Sequence, residues 1–411
     1  MTQRVYLRTF GCRANQYDSE AVRALIESSG GVIVDSAEEA TVAVFNSCAV
    51  TAAAESELRR SVRHAARVNA SLATVVMGCA AARDTGVIAA LPSVAHVIPG
   101  ADMPAIAAAL GVVPKPGSAP VQSGTRALLR IQDGCDEHCT FCATTLARGA
   151  NRSRPISELV SEAAALSQRH PEIVLTGIHI GTYGTDIGTT LGALVEQLVR
   201  DVPVVRFRLS SLEATEVDAR LLELFNEPNR LAPHLHAPLQ SGSDRVLKRM
   251  GRHWYTSGSY ARAVQRIVEH RHVFALGADV IAGFPGETAA DHRATRTLIE
   301  ELPFTYLHVF PYSLRPGTAA ERLPGHIPAG LIRERAAELR ALADAKRQAH
   351  AASRVGGLAD VIVVRGDVRE GLTEDYLEVR LEGASLPRGT RVAARLSMAG
   401  STLVARLSDL A

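Results

Sequence analysis

Short apolar stretches with strand character alternate with helical patterns from the N-terminus to about residue 328, where the alternation stops. Val5–Phe10 reads as a strand, Ser19–Ser29 as a helix and Thr41–Asn46 as a strand. Ala52–Val68 reads as a helix, Thr74–Met77 as a strand and Pro104–Leu110 as a helix. This pattern predicts a parallel sheet. Parallel neighbours need a crossover, and the crossover helix buries its apolar stripe on the sheet. VVPKPGSAPVQSGT (112–125) is rich in Pro, Gly and Ser and reads as a linker.

From Arg126 the alternation resumes. Candidate strands are Ala127–Ile131, Ile173–Thr176, Arg206–Ser210, His234–Ala237, Ala278–Ala282 and Tyr306–Phe310. Ile156–Gln168, Leu191–Val199 and Thr288–Glu301 are helical patterns between them. Six such units predict a partial (β/α)6 TIM-like barrel. Ala329–Arg354 forms one long helical pattern. After Gly356–Gly357 come short alternating strands, ADVIVVRG, EDYLEVRLEG, TRVAARLS and STLVARLS, which predict a small β-barrel.

The 411 residues suggest two to three domains at roughly 150 residues each. Hydrophobic residues at 46% and charged residues at 21% exclude disorder and a disulfide-stapled mini-protein. No apolar run reaches the roughly 20 residues of a membrane span. The N-terminus MTQRVYLRTFGC lacks an apolar signal core, so a cytoplasmic location and no membrane partner are expected. With 45 Lys+Arg against 43 Asp+Glu, strong overall basicity is excluded, but nucleic-acid binding is not. Lys occurs only at 115, 248 and 346. The Arg excess fits either coding bias or phosphate and base contacts.

All six cysteines precede residue 143. In a reduced compartment such clusters more often bind metal or do chemistry than form disulfides. Cys12, Cys48 and Cys79 each follow a predicted strand, and the carboxyl ends of parallel strands share one edge. Gly11 and Gly78 precede two of them and permit sharp turns. Three small buried residues at strand ends are the bland alternative. Cys135, Cys139 and Cys142 lie in one loop with C-x3-C-x2-C spacing after Ala127–Ile131. That spacing brings three thiolates to one centre. A [4Fe–4S] cluster would keep one iron open. Zinc, with adjacent His138 as a fourth ligand, and inert thiols are the alternatives.

The loop GCDEHCTFC (134–142), at the first strand of a (β/α)6 pattern, resembles the radical S-adenosylmethionine superfamily. Across nearly the whole chain the resemblance is to its methylthiotransferases. TFGCRANQYDSE (9–20), FNSCAVTAAAE (45–55), ARGANRSRP (147–155) and VLTGIHIGTYGTD (174–186) carry it. So do RLSSLEA (208–214), HLHAPLQSGSDRVLKRMGR (234–252), ADVIAGFPGET (278–288) and HVFPYSLRPGT (308–318). GLTEDYLEVRLEG (371–383) resembles the TRAM RNA-binding module. The implied domains are 1–112 (methylthiotransferase α/β), 113–125 (linker), 126–355 (radical domain) and 356–411 (TRAM-like).

NQYDSE and GIHIGTYG look most like the branch that adds a methylthio group to C2 of N6-threonylcarbamoyladenosine at position 37 of tRNA. Rival branches act on isopentenyl-adenosine or on a ribosomal-protein aspartate. A non-catalytic iron–sulfur RNA-binding protein is the reading from another class. The resemblance implies two [4Fe–4S] clusters, with Cys12, Cys48, Cys79 and Cys135, Cys139, Cys142 as ligands. One S-adenosylmethionine methylates sulfur at the first cluster. A second is cleaved at the other to give a radical that removes the target hydrogen. Implied partners are the tRNA anticodon stem-loop, an electron donor such as flavodoxin or ferredoxin, and a sulfur donor.

The resemblance also suggests contacts to S-adenosylmethionine from Phe141, Thr176, Gly177, Ser211, Glu213, His236 and Gln240. Each has a plainer alternative: core cap, tight turn or helix N-cap. Arg148, Arg152, Arg154 and Tyr183 are candidate substrate contacts, with the arginines also able to meet the N-terminal domain. Gly283–Glu287 reads as a turn opening a helix, with Thr288 as N-cap. The chain departs from the family pattern at Thr145, where Pro is usual, at Leu146, where an aromatic is frequent, and at Ala278, where Thr is usual.

Overall fold

A computed structural model describes residues 3–49, 52–113, 122–226, 231–269, 271–367, 369–383 and 385–407. Most of the predicted linker, residues 114–121, lies outside them. The N-terminal sheet has five parallel strands in the order Val32–Val34, Arg4–Thr9, Val42–Ser47, Ala73–Gly78, Val94–Pro99. The first and last of these were not predicted; Val94–Pro99 is partly exposed and carries little apolar signal. Both faces are covered. Helix Ala52–Val68 packs on one, and Arg13–Ser28 with Met103–Leu110 on the other. Two-sided cover explains why the central strands are buried along nearly their whole length.

Six parallel strands form the second unit: Ala127–Arg130, Glu172–Thr176, Arg206–Leu209, His234–His236, Ala275–Ala282 and Tyr306–Pro311. Bridges Phe207–Leu231 and Ser211–His236 join its two three-stranded halves. The partial (β/α)6 barrel expected from the strand count is therefore present. Thr288 caps the helix Ala289–Glu301, accepting from the Asp291 amide. The long helix Ala329–Ser353 packs against Tyr306–Pro311 and holds the turn at Glu287 through Arg335.

The C-terminal unit is a closed five-stranded barrel of Leu358–Arg365, Glu370–Leu372, Glu378–Glu382, Thr402–Leu407 and Arg391–Ala399. It docks where the larger barrel's strands begin. Arg206 and Arg208 are fully buried there and pair with fully buried Glu172. Arg206 also reaches Asp360 at 3.0 Å, and Arg208 reaches the Thr373 carbonyl at 3.3 Å. One end of the larger barrel is thus occupied by structural ion pairs. Its chemistry must sit at the carboxyl end. Among the described residues no helix is long and apolar enough to cross a membrane.

Candidate active site

Three strand ends deliver the first cysteine group. Cys12 precedes helix Arg13–Ser28, and Cys48 and Cys79 are buried. Gly11 has φ +96°, and a Cβ there would lie 2.6 Å from Cys48 Cβ and Sγ. Gly78 has φ +95°, and a Cβ would lie 2.4 Å from Asn46 Oδ1. Both positions need glycine for backbone angle and for closeness. Buried Asn15 ties the loops together. Its Oδ1 lies 3.9 Å from Cys12 Sγ and 3.8 Å from Cys79 Sγ. Its Nδ2 donates to the carbonyls of Phe10 and Ser47.

The second group comes from one loop. Gly134 (φ +75°) opens it, and a Cβ there would overlap the Ala150 carbonyl oxygen at 1.8 Å. The Cys135 amide donates to the Gly149 carbonyl, and Cys142 to that of Cys139. Cys135 Sγ lies 3.6 Å from His179 Nδ1, whose Nε2 meets Glu216 at 2.7 Å. Burial opposes a charged His179, but its bonds to Cys135 and Glu216 raise it to about 10. His138, the alternative zinc ligand, is exposed. Gln132, buried beneath the loop, accepts from the Ile178 and His179 amides and donates to the Gly134 carbonyl.

Each group has one buried guanidinium on one sulfur. Arg148 Nε lies 3.3 Å from Cys79 Sγ, and Arg252 Nη1 lies 3.4 Å from Cys139 Sγ. Burial pushes the Cys79 thiol up, and pushes Cys139 up to about 12, against the pull of these cations. Burial alone would lower both arginines. Asp18, Cys79 and Asp133 keep Arg148 charged; Tyr255, Glu213 and Cys139 do the same for Arg252. Fixed cations beside triple thiols suit an anionic, thiolate-ligated cluster, because hydrogen bonds to sulfur stabilise its charge. None of the six thiols is held in a disulfide, so the donor sets fit two such clusters.

Arg148 also connects the groups. It bonds Asn15 at 2.8 Å and Asp18 at 2.7 Å in the N-terminal unit, and Asp133 at 3.2 Å just before Gly134. Its short helix, Thr144–Arg148, follows Cys142 directly. Ala143, just before it, and Ala147 on it pack into the N-terminal core. The unusual Thr145 lies within this helix, and the unusual Leu146 is exposed.

The other predicted residues divide. Phe141 stands edge-on to Phe284, with ring centres 6.4 Å apart. Thr176 ends its strand, and Gly177 has no room for a Cβ, which would lie 2.8 Å from Gln132 Oε1. Ser211 is exposed and bridges to His236; it does not cap a helix, whereas Glu213 does. Glu213 pairs with Arg252 and accepts from Trp254 Nε1. His236 meets Asp279 at 3.1 Å and the Tyr306 hydroxyl at 3.1 Å. Gln240 takes a left-handed backbone (φ +62°) where it forms an isolated bridge to Val280, four residues past the strand His234–His236. Its neighbours Ser241 and Ser243 serve structure: Ser243 caps helix Asp244–Arg249 and bonds Asp291.

Two of the candidate substrate contacts, Tyr183 and Arg148, are buried. Tyr183 is 1% exposed in the barrel core, and its hydroxyl donates to the Arg154 carbonyl. Arg148 is buried between the units, so it has the alternative role of meeting the N-terminal domain. Arg154 pairs with Glu162 and donates to the Arg130 carbonyl, which leaves Arg152 as the exposed member.

Asn15, Gln132, Asp279, Arg252, Trp254, Tyr306 and His308 were not singled out from sequence. Most lie inside or beside quoted motifs, but their contacts depend on chain segments far away. His236, Asp279 and His308 bring potential metal-ligating atoms within 4.8 Å, as do His179, Glu213 and Glu216. Protein partners already engage these groups through Tyr306, Arg252 and Cys135.

Residues 4–100 match the uncharacterized protein family UPF0004, and residues 129–299 match the Radical SAM superfamily. The threonylcarbamoyladenosine tRNA methylthiotransferase MtaB of Aquifex aeolicus is 32% identical over 92% of this chain and 97% of its own. That of Thermotoga maritima is 36% identical over 80% of each. The tRNA-2-methylthio-N(6)-dimethylallyladenosine synthase of Thiobacillus denitrificans is 32% identical over 90% of this chain and 89% of its own. The structure of the radical S-adenosylmethionine methyltransferase TsrM from Kitasatospora setae has TM-score 0.59 at 15% identity. It covers 78% of this chain and 77% of that one, and shares the fold. Two fold units each with its own family match, relatives of the same length, and two thiol groups joined through one arginine place this chain in the radical S-adenosylmethionine methylthiotransferase family, on its MtaB-like branch.

Proposed function

We propose that the chain transfers a methylthio group to C2 of N6-threonylcarbamoyladenosine beside the tRNA anticodon, with a [4Fe–4S] cluster at each cysteine group. The enzyme is a methylthiotransferase that uses S-adenosylmethionine and iron–sulfur cofactors. What carries the finer reading is Arg148, because one buried side chain touches Cys79 and, through Asp133, the loop of Cys135. Such a link suits chemistry that passes from one group to the other. When bound, the cofactors supply one-electron cleavage of S-adenosylmethionine and the methylthio group.

The chain's own residues then orient and insulate. Gln132 fixes the cluster loop against the turn at Thr176–Gly177. Arg252 holds Glu213 beside Cys139 and so sets a polar wall for the methionyl end of S-adenosylmethionine. Phe141 gives an apolar surface near the nucleoside. His236, held by Tyr306 and Asp279, faces the substrate side. Exposed Arg152 is assigned to RNA. The domain limits 1–112, 126–355 and 356–411, the RNA partner, an electron donor and a sulfur donor belong to the same proposal.

Support for the substrate is the set of relatives named for threonylcarbamoyladenosine, at 32–36% identity. Relatives named for dimethylallyladenosine stand at 32–33%, so the substrate needs a direct test. Nucleosides of tRNA from a strain lacking this protein should be separated by mass spectrometry. Loss of methylthiolated threonylcarbamoyladenosine is expected. Loss of the dimethylallyl form instead would move the substrate, and an unchanged profile would refute RNA as the substrate.

A further inference from the structure

Helix Ala52–Val68 buries Leu58, Ser61, Val62 and Ala65 against the sheet, which turns Arg60, Arg63, His64 and Arg67 outward. With half-buried Arg59 and with Arg8 from the neighbouring strand, they line an open groove of about 640 Å³. Five guanidinium groups there face one carboxylate, Glu57. Glu57 pairs with Arg8 and Arg60. Among the described residues Arg59 and Arg63 have no ion-pair partner, and Arg67 meets only the His64 ring at 3.1 Å.

Arg59, Arg63 and Arg67 repeat every four residues, so they stand in a row with steps of about 6 Å. Like charges at this spacing destabilise a helix. The row therefore does not serve the helix itself, apart from Arg67 in the last turn, where a cation is favoured. The C-terminal barrel differs. Its Arg380 and Arg406 share Glu382, Arg391 pairs with Asp360, and Arg365 with Glu370. Four of its seven arginines thus face carboxylates, and Arg388 and Arg395 donate to the Ser123 and Gly356 carbonyls, although the unit resembles an RNA-binding module.

The row also has a direction. Its helix begins four residues after Cys48 in the chain, with Glu55 in its first turn. Arg59 lies one turn farther out, and Arg67 about 12 Å beyond that. A polyanion along this face would lead away from the cysteine site.

We propose that the arginine row of helix Ala52–Val68 holds the phosphodiester backbone of a double-stranded RNA stem whose loop enters the active site. This deepens the RNA reading above and rests on it. Guanidinium groups suit phosphate through paired N–H donors, and such contacts position a nucleic acid without reading its sequence.

The test uses the reconstituted full-length protein and its Arg59→Gln/Arg63→Gln/Arg67→Gln variant. Two probes are titrated across salt concentrations: an RNA hairpin with the target adenosine in its loop, and the loop sequence as a single strand. The variant should lose about tenfold or more in hairpin affinity, and its log–log salt slope should flatten by about 2–3. Its single-strand binding and its RNA-independent release of 5′-deoxyadenosine should match wild type. The triple Arg→Lys variant should restore most of the salt slope. Equal hairpin affinity and slope in wild type and Gln variant would overturn the proposal. Intact hairpin binding with lost reduction by an acidic electron-carrier protein would give the surface to that protein instead. If wild type fails to bind the hairpin, the RNA reading itself falls, and this proposal with it.

Discussion

Cys135, Cys139 and Cys142 sit within one loop, whereas Cys12, Cys48 and Cys79 come from loops after three different strands. The first arrangement is set by local spacing. The second exists only if strands Arg4–Thr9, Val42–Ser47 and Ala73–Gly78 pair in register. Yet both converge on one design: glycine at a left-handed turn beside a cysteine, and a buried arginine on one sulfur. The difference teaches where each group is vulnerable. The local group should tolerate disturbance of distant packing, and the assembled group should not.

The largest expected effect separates the two groups by chemistry. Cys139→Ala should bring both 5′-deoxyadenosine release and methylthio transfer to background. Cys79→Ala should abolish methylthio transfer while 5′-deoxyadenosine still forms. Product analysis of both reconstituted variants decides this. Methylthio transfer surviving in Cys79→Ala would end the two-cluster reading.

Next come the two arginines. Arg148→Gln removes a buried cation and leaves Asp18 with Arg130 as its remaining partner, so the stability loss should stay below the roughly 3–5 kcal/mol of a fully uncompensated buried charge. It should also lower methylthio transfer by about 10–100-fold, the usual range for groups supporting metal ligands. RNA-free release of 5′-deoxyadenosine should change little. Arg252→Gln should do the reverse and depress that release first. Single-turnover assays with separate product measurements test the pair. Identical profiles for the two variants would erase the distinction between the groups.

The smallest effects fall on the turns. Gly11→Ala and Gly134→Ala each force a non-glycine residue to positive φ, at about 1–3 kcal/mol each for the backbone angle, and the added Cβ must also displace Cys48 or the Ala150 carbonyl. Gly11→Ala should lower iron bound at the N-terminal group and leave the loop group filled. Gly134→Ala should do the opposite. Iron content and thermal unfolding check both.

Much of this was legible in sequence because it depends on local patterns. The strand–helix alternation, the C-x3-C-x2-C loop, the Thr288 cap and the switch to short strands after Gly357 all have short-range signals. The three early cysteines were also legible, since each follows a strand and parallel strands place their ends together. The strand Val94–Pro99 was not, because a partly exposed edge strand lacks a clear apolar pattern.

The roles of single polar side chains behaved differently. Tyr183 was a candidate substrate contact in a glycine-rich motif, and it lies in the core with its hydroxyl donating to the Arg154 carbonyl. Arg148 was open to RNA, solvent or the N-terminal domain, and it joins two units through Asp18, Asp133 and Cys79. Arg252 lies 113 residues from the cysteine it supports.

The sequence by itself determined most of the element order, the two cysteine groups and the family resemblance. These follow from the period of apolar residues and from ligand spacing along the chain. Only the tertiary structure decided which charges are buried, which arginine meets which sulfur and which basic face stays unneutralised. A charge's role depends on its burial and on partners brought from distant positions, and neither is encoded in its immediate neighbours.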